Sequence, residues 1–317
     1  MRAIVGHGGV VGTSREAQEG CQTALGIGME LLRQDVVALE GVVPPVVWME
    51  GSCRYNAGGG SVMRRDRSIR MDATVAMTTA GSRVAVATVI GAQGVLYPIL
   101  VARAVLEEGR HVSLTGGEDV LRIAQERGIP PHPGPSQFAL ARWQQMLDKL
   151  RTARREGRLA EIAPGWPPEE IDEFLRKEGG DNGDFSIAST QYTPSDTVGV
   201  IALDSKGGLA LAASTGGIGL MDPTRVGDVP FRGQGFEIGA DVAVLATGPG
   251  EQIMQEKGSA QVYDLVVKGL HPQQACEHGV LLFPRGTRVG FIALTSSGLV
   301  GVAPCRDLMP SYSIVEQ

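Results

Sequence analysis

A threonine directly follows an aspartate at Asp196-Thr197, where a polar stretch of the sequence meets an apolar one. The stretch before it, GGDNGDFSIASTQYTPSD, has the glycine, asparagine, serine and proline content of a loop. The stretch after it, residues 198–203, is a continuous apolar run typical of a buried strand. Thr197 is therefore predicted to open a core strand, although a β-branched residue also suits that position for structural reasons alone.

A threonine hydroxyl is a weak nucleophile and needs a base beside it. If the peptide bond between Asp196 and Thr197 is cut, the freed α-amine of Thr197, with a reference pKa of about 7.7–8.0, can be that base. In the intact chain the same nitrogen is an amide and cannot accept a proton. A loop that leads into a rigid strand suits such a cut, because one side can leave while the nucleophile stays fixed.

Three further motifs carry groups that acyl transfer could use. LAASTGG ends a predicted strand at Thr215, so its hydroxyl is predicted to lie close to the nucleophile. RVGD places Arg225 and Asp228 three residues apart, and such a pair could hold an α-carboxylate and an α-ammonium group. ATGPGE places Thr247 and Gly250 at a strand end, where a hydroxyl and an N–H group could form an oxyanion hole. Taken alone, RVGD is more often a surface turn with a salt bridge, and TGPG is more often just a turn.

A mixture of helices and strands is predicted to position these motifs. Residues 198–203 and 208–213 flank the turn sequence DSKGG and are predicted to pair as a hairpin. The other predicted strands are RAIVG, residues 68–74, RVAVATVIGA, and residues 241–247, 289–295 and 298–303. The predicted helices are Arg15 to Gln34 with Ser14 as N-cap, and residues 98–108, 118–127, 137–155, 168–177, 249–268 and 272–283.

The sharpest change of composition lies at Asp196 and Thr197, yet neither side has the sequence of a complete core. From about 151 to 196 the chain is charged, contains glycine and proline, and has few strand formers. A single domain of residues 1–317 is therefore predicted. Within it, residues 151–196 form a linker that becomes mobile after a cut, above all in roughly its last fifteen residues.

Composition argues against several classes of function. The chain of 317 residues has a net charge of −6 and a pI near 5.5, which disfavours nucleic acid as a partner. Its apolar runs are too short for a membrane span, and the N-terminus MRAIVGHGGVVG lacks the apolar core of a secretory signal. The four cysteines form no CxxC pair and the five histidines no metal-binding pattern. A cytoplasmic protein without membrane partners is expected.

The order of four motifs, DTVG, STGG, RVGD and TGPGE, is more specific than any one of them. In this order the chain resembles the plant-type (type 2) asparaginase and isoaspartyl aminopeptidase family of N-terminal-nucleophile hydrolases. The resemblance spans nearly the whole sequence, since it includes HGG at 7–9, YNAGGGSV at 55–62, MDA at 71–73 and YPILVARAVLEEGRH at 97–111.

The resemblance implies an α+β fold, a four-layer αββα sandwich, and self-cleavage between Asp196 and Thr197. The products would be an α chain of residues 1–196 and a β chain of residues 197–317. The enzyme would release L-aspartate from L-asparagine or β-aspartyl dipeptides through an ester on Thr197. A homodimer of αβ units is expected, with no cofactor for the chemistry and a structural sodium ion at the glycine-rich loop around Asn56.

The resemblance also implies a role for each candidate side chain. Thr197 would be both nucleophile and base, and Thr215 would assist it. Thr247 and Gly250 would form the oxyanion site. The α-groups of the substrate would be held by Arg225, Asp228 and Gly248.

Substitutions at the pocket rim leave the substrate preference open. Where the family usually has GAGTYA after RVGD, this chain has GQGFEIGA, with Gln234 and Phe236. TGG at 215–217 favours the asparaginase branch, because glycosylasparaginases tend to carry TNG. Threonine-aspartase endopeptidases lack the aspartate of RVGD, whereas this chain has it as Asp228, which favours a small substrate with a free α-amine. A glycosylasparaginase-like hydrolase and an uncleaved homologue that only binds a small amino acid remain as alternatives. A nucleotide-binding loop at GHGGVVG fits poorly, because Val11 stands where that motif needs glycine.

Overall fold

A computed structural model of the chain describes residues 1–10, 14–79, 83–163, 166–178, 197–304 and 309–317. The strands in these ranges are β1 Arg2–His7, β2 Met71–Thr79, β3 Arg83–Ala92, β4 Ser113–Thr115, β5 Val198–Leu203, β6 Leu209–Thr215, β7 Phe236–Ile238, β8 Val242–Thr247, β9 Gly290–Thr295, β10 Val300–Pro304 and β11 Ser311–Glu316. The α-helices are α1 Arg15–Leu32, α2 Ala38–Gly51, α3 Pro98–Glu108, α4 Glu118–Glu126, α5 Gln137–Arg155, α6 Leu159–Ile162, α7 Pro168–Lys177, α8 Gly250–Glu256, α9 Gly258–Val267 and α10 Pro272–Leu281.

The strands form two sheets. The larger sheet has the order β11-β1-β5-β6-β2-β3-β4, and its neighbouring strands are antiparallel except for the parallel pair β3 and β4. The smaller sheet is antiparallel, in the order β10-β9-β8-β7. The predicted hairpin of β5 and β6 is confirmed, and it occupies the middle of the larger sheet.

Side chains alternate between two faces along β5, as the two-residue period of a strand requires. Val198 and Val200 lie in a core shared with helices α1 to α4, whereas Ile201 and Leu203 pack with Leu245 and other residues of the smaller sheet. A third core lies between the smaller sheet and helices α8 to α10. Burial on both faces explains why this strand has a continuous apolar sequence. The fold is mixed α and β, with two sheets and helices.

Several predicted elements are confirmed, some of them to the residue. Helices α3, α5 and α7 have the predicted bounds. Ser14 caps α1 as predicted, since its Oγ accepts a hydrogen bond from Ala17 N at 3.0 Å. The prediction of one helix over 249–268 is wrong, because Lys257 adopts a left-handed conformation, with φ of 51°, between α8 and α9.

The sequence did not predict helix α2, because Pro44 and Pro45 stand inside it and proline removes a helical N–H donor. Close packing on α1 supports the helix nevertheless. A Cβ placed on Gly28 of α1 would come within 2.8 Å of Pro45 Cγ, so only glycine permits this approach. The strand predicted at 68–74 also begins later than expected, at Met71.

Residues 151–163 and 166–178 of the predicted linker are largely helical in the continuous chain. Helices α5 and α7 contribute to a small apolar cluster, which we call the arm core: Met63, Trp143, Leu147, Leu150, Ile171, Leu175 and Leu220. Ile171 is completely buried there. Residues 179–196 lie outside the described residues, and mobility of the linker after a cut stays a prediction.

No helix in the described ranges combines the length and the hydropathy that a membrane span needs. The same ranges contain no group of three or more His, Cys, Asp or Glu side chains arranged to hold a metal ion. Cys21, Cys53 and Cys276 are free thiols.

Candidate active site

Thr197 lies directly before β5, next to the end of β6. The hairpin register produces this proximity, because Val198 is paired with Ser214 and the preceding residue therefore stands beside Thr215. Thr197 Oγ1 donates a hydrogen bond to Thr215 Oγ1 over 3.3 Å, and both side chains are buried. The predicted approach of the two hydroxyls is confirmed.

Asn56 holds the turn that follows Thr215. Its backbone oxygen accepts a hydrogen bond from Gly216 N at 2.7 Å, and its Nδ2 donates to Gly217 O at 2.6 Å. Gly217 N in turn donates to Thr215 Oγ1 at 3.0 Å. Gly217 has φ of 75°, a conformation that favours glycine. The Thr215 hydroxyl thus accepts two hydrogen bonds, which leaves its own proton to be donated elsewhere.

Arg225, Asp228 and Gly250 come together at the start of α8. A Cβ placed on Gly250 would lie 2.8 Å from both Arg225 Nη2 and Asp228 Oδ1, so both charged groups reach this glycine. Arg225 Nε and Nη2 also donate to the Glu251 carboxylate, at 2.7 and 2.8 Å. This ion pair holds the pKa of Glu251 below its usual range. A cation and an anion against a glycine can receive the two charged α-groups of an amino acid.

Thr247 ends β8 and is fully buried. Among the described residues its Oγ1 has no hydrogen-bond partner. Such a buried hydroxyl is costly unless water or a ligand binds it. Gly248 follows with φ of 147°, and a Cβ there would lie 2.7 Å from Arg288 O. β8 packs across β5 and β6, which carry the two hydrogen-bonded threonines.

Arg64 is a buried cation of this region that the sequence did not single out. Its side chain is completely buried, and its Nη2 would meet a Cβ on Gly217 at 2.5 Å. Burial lowers the pKa of Arg64; the carboxylate of Asp72 opposes this shift, and the charge of Arg225 adds to it. Arg64 therefore lies against the turn that follows Thr215 and within electrostatic range of Arg225. Its position in the charged run RRDR gave no signal, because such runs are usually solvated.

His7 also lies near the nucleophile, which no motif of the sequence indicated. It ends β1, and a Cβ on Gly199 would lie 2.6 Å from its Nε2. Burial lowers the pKa of His7 to about 4, and a polar contact with the Thr197 backbone offsets only part of this effect. The ring is therefore neutral near pH 7.

Two sequence predictions concern the surroundings of the site. Asp196, the other half of the expected cleavage site, lies outside the described residues. For the sodium ion expected near Asn56, two backbone carbonyl oxygens lie against glycines of the loop: a Cβ on Gly58 would lie 2.6 Å from Glu50 O, and one on Gly60 would collide with Tyr55 O. Backbone oxygens are ligands that suit a hard cation such as sodium, and binding of sodium here stays a prediction.

Comparison with known proteins gives a consistent result. The Asparaginase family model matches residues 3–313. A plant-type L-asparaginase of Pyrococcus abyssi is 31% identical, over 100% of this chain and 97% of its own length. A plant-type L-asparaginase of Pyrobaculum calidifontis is 32% identical, over 95% and 90%. An isoaspartyl peptidase of Escherichia coli is 32% identical, over 87% of this chain and 78% of its own length.

Proposed function

Because this chain belongs to the Asparaginase family, we propose that it is a self-cleaving amidohydrolase that releases L-aspartate from L-asparagine and β-aspartyl dipeptides. One cited relative is named an L-asparaginase and another an isoaspartyl peptidase, and together these names support this substrate class. The observation that carries the proposal is the hydrogen bond of 3.3 Å between the Thr197 and Thr215 hydroxyls at the head of β5.

The chemistry begins with hydrolysis of the peptide bond between Asp196 and Thr197. One water molecule is consumed, Asp196 gains a free α-carboxylate, and the α-amine of Thr197 is freed. This amine takes the proton of the Thr197 hydroxyl as Oγ1 attacks the side-chain carbonyl carbon of the substrate. The C–N bond then breaks, and ammonia or the second amino acid leaves with that proton. Water attacks the resulting ester in the same way, L-aspartate is released, and the hydroxyl is restored. Once the Thr197 hydroxyl has given its proton to the amine, the Thr215 hydroxyl donates a hydrogen bond to the attacking oxygen and stabilises it.

Binding and charge stabilisation fall to the groups around α8. Arg225 takes the α-carboxylate of the substrate, while Asp228 and the backbone at Gly248 take its α-ammonium group. Thr247 and Gly250 donate hydrogen bonds to the oxyanion. The buried Thr247 hydroxyl supports this role, since it has no partner among the described residues.

The remaining features of the proposal concern the assembly. The three apolar cores support a four-layer αββα sandwich that forms one hydrolase domain. The carbonyl oxygens of Glu50 and Tyr55 would hold a structural sodium ion, which takes no part in the reaction. The family resemblance supports a homodimer of αβ units. The free thiols of Cys21, Cys53 and Cys276 support a reducing compartment such as the cytoplasm.

The first test is intact mass and N-terminal sequencing of the purified protein after incubation near neutral pH. Apportioning 33.4 kDa by residue count, we expect pieces of roughly 21 and 13 kDa, the smaller beginning Thr-Val-Gly-Val. The Thr197→Ala variant should stay intact and inactive. A wild-type protein that remains one chain, or a variant that is processed normally, would contradict the mechanism and favour a protein that only binds its ligand.

A further inference from the structure

Glu50, near the end of α2, is a completely buried carboxyl group that the proposed reaction does not use. Its Oε1 accepts a hydrogen bond from Ser214 Oγ at 2.6 Å and another from Ile99 N at 3.3 Å. Ser214 precedes Thr215 in β6, and consecutive side chains of a strand point to opposite faces of the sheet. Glu50 therefore binds β6 on the face of the sheet that the helices cover, at the residue directly before Thr215.

We propose that Glu50 is a positioning residue: its hydrogen bond to Ser214 fixes the end of β6, so that the Thr215 hydroxyl stays within reach of the Thr197 hydroxyl. The inference rests on the proposed function. The distance to be maintained is the 3.3 Å between the two threonine oxygens. A misplacement of about 1 Å at such a pair can slow the chemical step about a hundredfold, because reacting groups must be aligned.

The strand end is held from two places on one short stretch of chain. Glu50 binds Ser214, and Asn56 binds Gly216 N and Gly217 O, at 2.7 and 2.6 Å. The loop that carries Asn56 packs against Glu50, since a Cβ on Gly58 would lie 2.4 Å from the Cβ of Glu50. Thr215 therefore stands between two fixed neighbours, and removal of either anchor would let the strand end shift.

The contact depends on an acceptor oxygen at this position. Both hydrogen bonds of the Glu50 side chain, from Ser214 Oγ and from Ile99 N, run to Oε1. Glutamine has the same shape and an equivalent acceptor oxygen, so it should replace Glu50 with little loss.

The proposed cut before Thr197 increases the demand on this contact. It would leave Glu50 in the α chain and Ser214 in the β chain. The peptide link between the two parts would no longer help to hold β6 against α2, and the buried hydrogen bond would act between separate polypeptides.

The test compares Glu50→Ala, Ser214→Ala and Glu50→Gln with wild type, using a β-aspartyl dipeptide and L-asparagine as substrates. We expect the two alanine variants to lower kcat about tenfold or more, with KM within about threefold, because the α-group contacts at Arg225 and Asp228 are untouched. Glu50→Gln should restore kcat to within about threefold of wild type. Thr88→Val is the matched control, because it deletes another hydrogen bond of the same sheet, from Thr88 Oγ1 to Ser113 Oγ at 2.8 Å.

The outcomes separate the two proposals. An active wild type with unchanged kcat in Ser214→Ala overturns the role of Glu50 alone, and this variant decides the matter even if Glu50→Ala does not fold. A Thr88→Val variant that loses as much kcat, or a Glu50→Gln variant as slow as Glu50→Ala, overturns it as well. A wild type that neither cuts itself nor turns over either substrate overturns the proposed function, and this inference with it.

Discussion

The Arg225 guanidinium has two edges, and Glu251 occupies the one formed by Nε and Nη2. Nη1 lies toward Gly227, where a Cβ would come within 2.8 Å. We expect Arg225→Ala to lower kcat/KM by at least about thirtyfold for substrates with an α-carboxylate, because loss of a buried charge pair costs about 2 kcal/mol or more. Steady-state kinetics with L-asparagine measure this effect.

Arg232 provides the control for that variant. It also pairs with a carboxylate, that of Glu237 at 2.6 Å, but its side chain is about half exposed. Arg232→Ala should therefore leave kcat/KM unchanged, since surface ion pairs contribute little. An Arg225→Ala enzyme with wild-type kinetics would remove Arg225 from the substrate site.

His7 gives the protein a stability that depends on pH. Its pKa is lowered by burial from 6.5 to about 4, so the unfolded chain binds a proton at a higher pH than the folded one. The contribution of His7 to the free energy of unfolding is therefore complete above about pH 6.5. It is lost as pH falls, by up to about 3 kcal/mol near pH 4. Thermal unfolding between pH 7 and 4 should show a shallower decline for His7→Gln. An equal loss of thermal stability with falling pH in wild type and His7→Gln would show that His7 is not the cause.

The sequence predicted the residues that stand in contiguous motifs, and it missed those defined by burial. Thr197 and Thr215 could be paired because the short turn DSKGG fixes the register of their strands. Glu50 could not be found, since its partner Ser214 lies 164 positions away and nothing local distinguishes that glutamate. Arg64 was missed because the charged run RRDR is typical of a solvent-exposed segment. Only tertiary packing buries this side chain.

At the scale of elements, helices α5 to α7 are docked through the arm core rather than free. The rings of Trp143 and Phe174 meet edge to face at 5.9 Å, and Ile171 is completely buried. We expect limited proteolysis of the cleaved protein to leave the segment up to Lys177 intact, because its backbone is helical and packed. Mass spectrometry identifies the cuts, and early cuts within α5 or α7 would contradict the docking.

An Ile171→Asp variant sharpens that experiment. A buried, unpaired carboxylate is costly, so α7 should detach and become sensitive to protease. The exposed Leu140 of α5 provides a matched position, because Leu140→Asp should change nothing. Equal sensitivity of both variants would mean that the arm core does not hold the helices.

Local propensity explains which elements were predictable. Helices α3, α5 and α7 have amphipathic sequences with clear ends, and their bounds were found. Helix α2 contradicts its local signals, since packing on Gly28 outweighs Pro44 and Pro45. Strand β11 lies at the sheet edge with a mostly polar, half-exposed sequence, SYSIVE, that offers little periodicity.

At the scale of the whole molecule, segments from both sides of Thr197 alternate in the larger sheet. Strand β1 lies between β11 and β5, and β6 is paired with β2. A cut before Thr197 would thus produce two chains whose strands are paired with each other in one sheet. Neither could leave without breaking several strand ladders, and each should be insoluble alone.

Because both products of the proposed cut would contribute strands to one sheet, a cleaved molecule that unfolds should not readily refold. The intact chain folds in a unimolecular reaction, at a rate independent of protein concentration. After a cut, the two unfolded chains would have to associate again, and the rate of that step depends on concentration. Activity regained after dilution from denaturant should therefore fall with protein concentration for the cleaved enzyme. Uncut Thr197→Ala, followed by its native fluorescence, should refold equally well at every concentration. A cleaved enzyme that regains equal activity at every concentration would show that the shared sheet does not hinder refolding. If recovery falls with dilution, an unfolded molecule is rarely restored, and the rate of unfolding sets the working lifetime of the enzyme.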